Sequence, residues 1–187
     1  MSEDSEDHRC SSLSVPPSTQ DHIQGLLNAT VALVMYGDYQ CSHSADIYRL
    51  IKGIQRQISA SLEKRNFCFI FRHFPQVKIH PQAQHAAEAA EAAAAQSHFW
   101  QMHEMLFSHQ QQLGNGYLIE YANHLGLNIS PFLQDLSRGV HIDRINADIE
   151  SGNQSGVIAA PALFINGIRY SDCSNKAQLT AALIGIN

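Results

Sequence analysis

Two short runs of apolar and aromatic residues, Val31-Ala-Leu-Val-Met-Tyr36 and Phe67-Cys-Phe-Ile-Phe-Arg-His-Phe74, flank a long stretch with apolar residues at helical spacing. The first run stops at Gly37-Asp38 and the second at Pro75, so each reads as a buried strand. Between them Ile47, Leu50, Ile51, Ile54, Ile58 and Leu62 form one stripe at three- and four-residue intervals. That stripe predicts an amphipathic helix from Cys41 to about Lys64. Strand, helix, strand is the crossover of a parallel sheet, and it confines the chain to the α/β class.

A helical region is expected next. Nine of the thirteen residues from Ala83 to Ala95 are alanine, the strongest helix former, and Pro81 stands where a first-turn proline belongs. Ser97 is expected to cap a helix carrying Phe99, Trp100, Met102 and Leu106. After the break at Leu113-Gly-Asn-Gly116, helices follow over about Tyr117–Leu125 and Pro131–Ser137, the second capped by Ser130. Ile142, Ile145 and Ile149 mark one more, ending near Gly152. Pro161–Ile165 and Ile168–Tyr170 read as a hairpin about Asn166-Gly167, and Asn175 to Ile184 as a closing helix. The order is therefore β-α-β, a helical insert over about residues 80–152, then β-β-α, in one domain spanning 21–187.

Composition narrows the function classes. Hydrophobic residues make up 44% of the 187 and charged residues 16%, which excludes a disordered chain. No apolar run approaches the roughly 18 residues of a membrane span, so no membrane partner is expected. Only 12 Lys+Arg and a net charge of −5 argue against nucleic acid. Residues 1–20 hold four acids and one base beside Ser-rich and Pro-rich segments, and read as a flexible acidic tail. The acidic start differs from a secretory leader, so the expected location is cytoplasmic. Cys10, Cys41, Cys68 and Cys173 are widely spaced, as in a protein whose thiols stay reduced.

Three segments carry a resemblance. Tyr36-Gly-Asp-Tyr-Gln-Cys41-Ser-His-Ser44 resembles the active-site segment of DsbA-like thiol oxidoreductases. Phe71-Arg-His-Phe-Pro75 with His80-Pro81 and the alanine-rich helix is similar to that family's second strand and insert. Gly156-Val-Ile-Ala-Ala-Pro161-Ala-Leu-Phe-Ile-Asn-Gly167 is similar to its cis-proline loop. The resemblance implies a thioredoxin-like α/β fold with an inserted helical subdomain, covering about Asp21 to Ile184. It implies Cys41 as the nucleophile and Pro161 as the cis-proline. Where the family has a second cysteine this chain has Ser44, so the dithiol chemistry does not carry over.

A cysteine at the first turn of a helix faces unpaired amides and the positive end of the helix dipole, which favour thiolate. Cys41 is thus expected to be reactive, with His43 beside it and Ser44, one turn on, donating a hydrogen bond to its sulfur. Ser44 cannot attack a mixed disulfide. Three outcomes stay open: glutathione resolves the bond, making a monothiol reductase or a disulfide isomerase; a distant cysteine, Cys173 first among them, does so; or the site is redox-inactive and the groove binds peptide or protein. A serine-dependent glutathione transferase is a further reading, weakened by the retained cysteine. A cis bond at Ala160-Pro161 would turn Ala160 toward Cys41 and offer its backbone to an extended substrate. Cys68 reads as core packing, and Cys10 as a bystander in the tail. The expected partners are proteins with thiols or disulfides, or glutathione, with no bound cofactor. No metal is expected, because His80, His85, His98, His103 and His109 form no pair at i, i+4 spacing.

Overall fold

The computed structural model describes residues 12–60, 67–171 and 176–184. A five-stranded mixed sheet is built from β1 (His22–Gln24), β2 (Val31–Gly37), β3 (Phe67–His73), β4 (Ala162–Ile165) and β5 (Ile168–Tyr170), in the order β1-β3-β2-β4-β5. β2 and β3 pair in parallel, with Val34 opposite Ile70, and α1 (Ser42–Ala60) makes the crossover. The other neighbours are antiparallel. Asn166 and Gly167 both have positive φ, 50° and 81°, as the tight hairpin turn between β4 and β5 requires.

The apolar runs are continuous because the sheet is covered on both faces. Leu33, Met35, Phe69 and Phe71 point into one core with Ile51 and Ile54 of α1. Val34, Tyr36, Cys68 and Ile70 point into a second, with Phe164 and Val157. Cys68 is fully buried there, and burial pushes its thiol up to about 11. Five helices stand between β3 and β4: α2 (Ala83–Ala94), α3 (Phe99–Ser108), α4 (Asn115–His124), α5 (Ile129–Arg138) and α6 (Ile142–Gln154). The alanines of α2 are almost all buried, and their small side chains let α3 and α5 pack onto it. The closing helix α7 (Lys176–Ile184) packs on α1.

Several expectations need correction. Ser97 does not cap α3: its φ is +63°, its amide bonds to Ala94, and His98 is the flanking residue. Asn128, not Ser130, flanks α5, so Pro131 lies further into the first turn than expected. α6 ends near Gly152 as expected, at Gln154, and that glycine sits against Phe74 and Tyr36, where a Cβ would come within 2.9 Å of the Phe74 ring. Residues 12–20 do not hang free. The Leu13 amide bonds to Gly167, the Ser14 amide to Ser155, and buried Arg72 donates to the carbonyls of Val15 and Pro16 while pairing with Asp21 at 2.7 Å. A buried guanidinium needs acceptors, and this strap supplies two of them. No described helix is long and apolar enough to cross a membrane.

Candidate functional site

Asp38 shapes the turn from β2 into α1. Its Oδ1 accepts the Gln40 amide at 2.7 Å and its main-chain carbonyl accepts the Cys41 amide at 3.2 Å. Cys41 therefore flanks the first residue of α1, with its own carbonyl accepting the Ala45 amide. Gln110 clamps the turn from the helical insert, donating to the carbonyls of Tyr39 and Cys41 at 2.8 Å each. Tyr39 anchors it from below. Its hydroxyl meets Nδ1 of buried His103 at 2.8 Å, and burial raises that phenol well above its usual range.

The Ala160–Pro161 peptide bond is cis. Cys41 Sγ donates to the Ala160 carbonyl at 3.5 Å, which brings the first and third recognised segments together. Cys41 as a whole is 6% exposed, at the seam between α1 and that loop. His43 is exposed next to it.

Ser44 is a correction. Its fully buried hydroxyl accepts the Asp38 amide at 3.3 Å, and among the described residues no hydrogen bond joins it to Cys41. The backbone amide of the turn captures the hydroxyl. Ala160 also differs from expectation, because both of its backbone groups are taken: the carbonyl by Cys41, and the amide by Gln76 Oε1 at 3.2 Å. Cys173 and Cys10 lie outside the described residues.

Sequence reasoning missed Asp38, Gln76 and His80 as site builders. Asp38 Oδ2 accepts both the Gln76 amide and His80 Nδ1 at 2.8 Å, so one buried carboxylate ties the turn before Cys41 to the loop after β3. Gly37-Asp38 signalled only a strand end. The polar residue after a strand-ending glycine was the available clue, since Asp in a turn bonds back to the chain.

Among the described residues one group of side chains has metal-ligating geometry: His22, His73 and Glu91. Burial alone would raise the Glu91 carboxyl, but hydrogen bonds from the two histidines hold it well below the usual carboxylate range.

The sequence profile of the thioredoxin family matches residues 18–184. Among curated proteins, the Na(+)/H(+) antiporter NhaA 3 of Salinispora tropica is 33% identical over 165 residues, 88% of this chain and 24% of that protein. The chain thus spans about a quarter of the length of the curated relatives it matches. Among solved structures, oxidised BdbD from Bacillus subtilis superposes with a TM-score of 0.78 at 18% identity, covering 94% of this chain and 98% of that one. MdbA from Corynebacterium diphtheriae, described as a thiol-disulfide oxidoreductase, gives 0.67 at 16% identity, with 100% of each chain covered. These likenesses establish the fold, a thioredoxin-like α/β sheet with an inserted set of helices. By its sequence, the chain belongs to the thioredoxin family.

Proposed function

We propose that this chain is a thiol–disulfide exchange protein that works through one thiol, Cys41, on proteins carrying thiols or disulfides. The observation that carries the reading is the 3.5 Å contact from Cys41 Sγ to the carbonyl preceding Pro161, at the start of α1. Likeness in fold to MdbA supports it.

In the reaction, the Cys41 thiolate attacks one sulfur of a partner disulfide. A new S–S bond forms as the old one breaks, and the departing sulfur leaves as a thiolate. Ser44 stands where a second thiol would release the partner, so another thiol must do so. Glutathione is the co-substrate of choice. Attack by one glutathione at the Cys41 sulfur frees the partner thiol and leaves a Cys41–glutathione bond. A second glutathione restores Cys41 and departs as glutathione disulfide, with no bound cofactor. A cytoplasmic setting, where glutathione is kept reduced, suits this cycle. Cys173 is the internal alternative as resolving thiol. An extended substrate would add along Ala160, displacing Gln76 from its amide and the thiol from its carbonyl, with exposed His43 beside the approach.

The 6% exposure of Cys41 favours a second reading, a redox-inactive module that uses the same groove for peptide or protein. One experiment separates them: mass spectrometry of the chain treated with glutathione disulfide and with a disulfide-bonded peptide. The exchange reading expects one adduct, on Cys41, absent in Cys41→Ser and formed faster than on the unfolded chain. Cys173→Ala should leave its lifetime unchanged if glutathione is the resolving thiol. A folded chain whose Cys41 reacts no faster than the unfolded one removes the enzyme and leaves the binding module.

A further inference from the structure

The geometry points to a second, unrelated site: a divalent transition-metal ion, of the zinc type, held by His22, His73 and Glu91. The three come from β1, β3 and α2, and their ligand atoms lie within 4.8 Å of one another. His22 Nε2 is 2.7 Å and His73 Nε2 2.8 Å from the same oxygen, Glu91 Oε1. Zinc takes imidazole nitrogen and carboxylate oxygen at about 2.0–2.2 Å, which spaces tetrahedral donors about 3.3 Å apart. The two contacts to Glu91 need to open by about half an ångström to admit the ion, with the two ring nitrogens already within 4.8 Å of each other.

Both histidines are held in place. The His22 ring stacks on Phe99 at 3.3 Å and 5°, and the two imidazoles, at 76° with centroids 6.1 Å apart, both turn Nε2 to Glu91 Oε1. The backbone amide of His73 is held by Asp148 Oδ2 at 2.9 Å. Such outer support is what orients metal ligands in known sites. His73 and Glu91 are buried while His22 remains partly open, which leaves one side for a fourth ligand from solvent. Arg144, which acts on both His22 and Glu91, is paired with Asp148. With neutral imidazoles the set Glu91, Asp148 and Arg144 therefore keeps one negative charge to receive a cation. Two nitrogens and one carboxylate oxygen suit zinc and cobalt rather than calcium or magnesium, which want oxygen throughout. On binding, each ring presents its Nε2 lone pair, the proton moving to Nδ1 or to solvent.

The test uses the full chain, stripped with chelator and titrated with Co(II), then challenged with Zn(II). One equivalent should bind with the visible spectrum of nitrogen and oxygen ligation, without a thiolate charge-transfer band, and be displaced by zinc. Glu91→Gln and His22→Gln should weaken binding about a hundredfold or more, at or beyond the 10–100-fold typical of a supporting residue. Cys41→Ser and His80→Ala should bind within about twofold of the wild type, far inside that 10–100-fold range. Should the variants fail to fold, the wild-type NMR spectrum decides, because bound Co(II) must broaden the ring signals of His22 and His73. Absence of binding at millimolar metal, or broadening centred on other histidines, overturns the site.

Discussion

Gln76 holds the amide of Ala160: its side-chain carbonyl accepts that N–H at 3.2 Å while its own backbone amide donates to Asp38 at 2.8 Å. The side chain thus occupies the donor that an incoming strand would use. Gln76→Ala should lower stability by about 1 kcal/mol, the net worth of an ordinary hydrogen bond. It should also lower the apparent KM for a disulfide-bonded peptide, with the rate toward glutathione disulfide unchanged. Urea unfolding and paired steady-state assays read the two effects.

Ser44→Cys places a thiol three residues along α1 from Cys41. Residues at that helical spacing lie about 5–6 Å apart at Cβ, close enough for a disulfide after a small adjustment. The variant should form an internal disulfide between Cys41 and the introduced thiol, and shed trapped partners that the wild type retains. Non-reducing mass spectrometry should show the Cys41 adduct at least about tenfold shorter-lived, as expected when the attacking thiol is intramolecular.

Gly152→Ala should destabilise, against helix propensity. In an open helix that change gains about 1 kcal/mol. Here the added Cβ would lie 2.9 Å from two Phe74 ring atoms and 3.1 Å from Tyr36. The Tyr36 ring is held by hydrogen bonds to Ser151 and Arg72, so it cannot step aside freely. Overpacking of this kind costs about 1–3 kcal/mol, leaving a net loss that a lowered urea midpoint would record.

His103 sets an acid limit on stability. Burial pushes its imidazole well below the usual range, and its Nε2 has no hydrogen-bond partner among the described residues. The folded chain keeps it neutral, while the unfolded chain protonates it below about pH 6.5. Its contribution is therefore complete above that pH and lost on acidification at about 1.4 kcal/mol per pH unit. His103→Phe should be less stable at neutral pH, because Tyr39 loses its partner, yet its stability should fall less steeply between about pH 6.5 and 5. Denaturant unfolding across that range, in chelator, measures both slopes.

The β-α-β crossover, the alanine-rich helix and the Asn166-Gly167 hairpin were legible because each is written in residues adjacent in the chain. β1 was not: His22–Gln24 has three residues, no apolar run and no alternation to read. The strap at residues 12–20 was hidden for a related reason. Its polar, proline-containing composition signals disorder, and its partners, the guanidinium of Arg72 with Ser155 and Gly167, are all distant in the chain.

Local pattern therefore determined where Cys41 sits: at the end of a strand, entering a helix, three residues before a serine. Tertiary structure decided what surrounds it. The Asp38 amide captured the Ser44 hydroxyl, Gln76 took the Ala160 amide, and His22, His73 and Glu91 met across three elements. Helix and strand periods are short-range properties of the backbone. A hydroxyl's choice of partner, or the convergence of residues 22, 73 and 91, depends on which elements the folded core brings together.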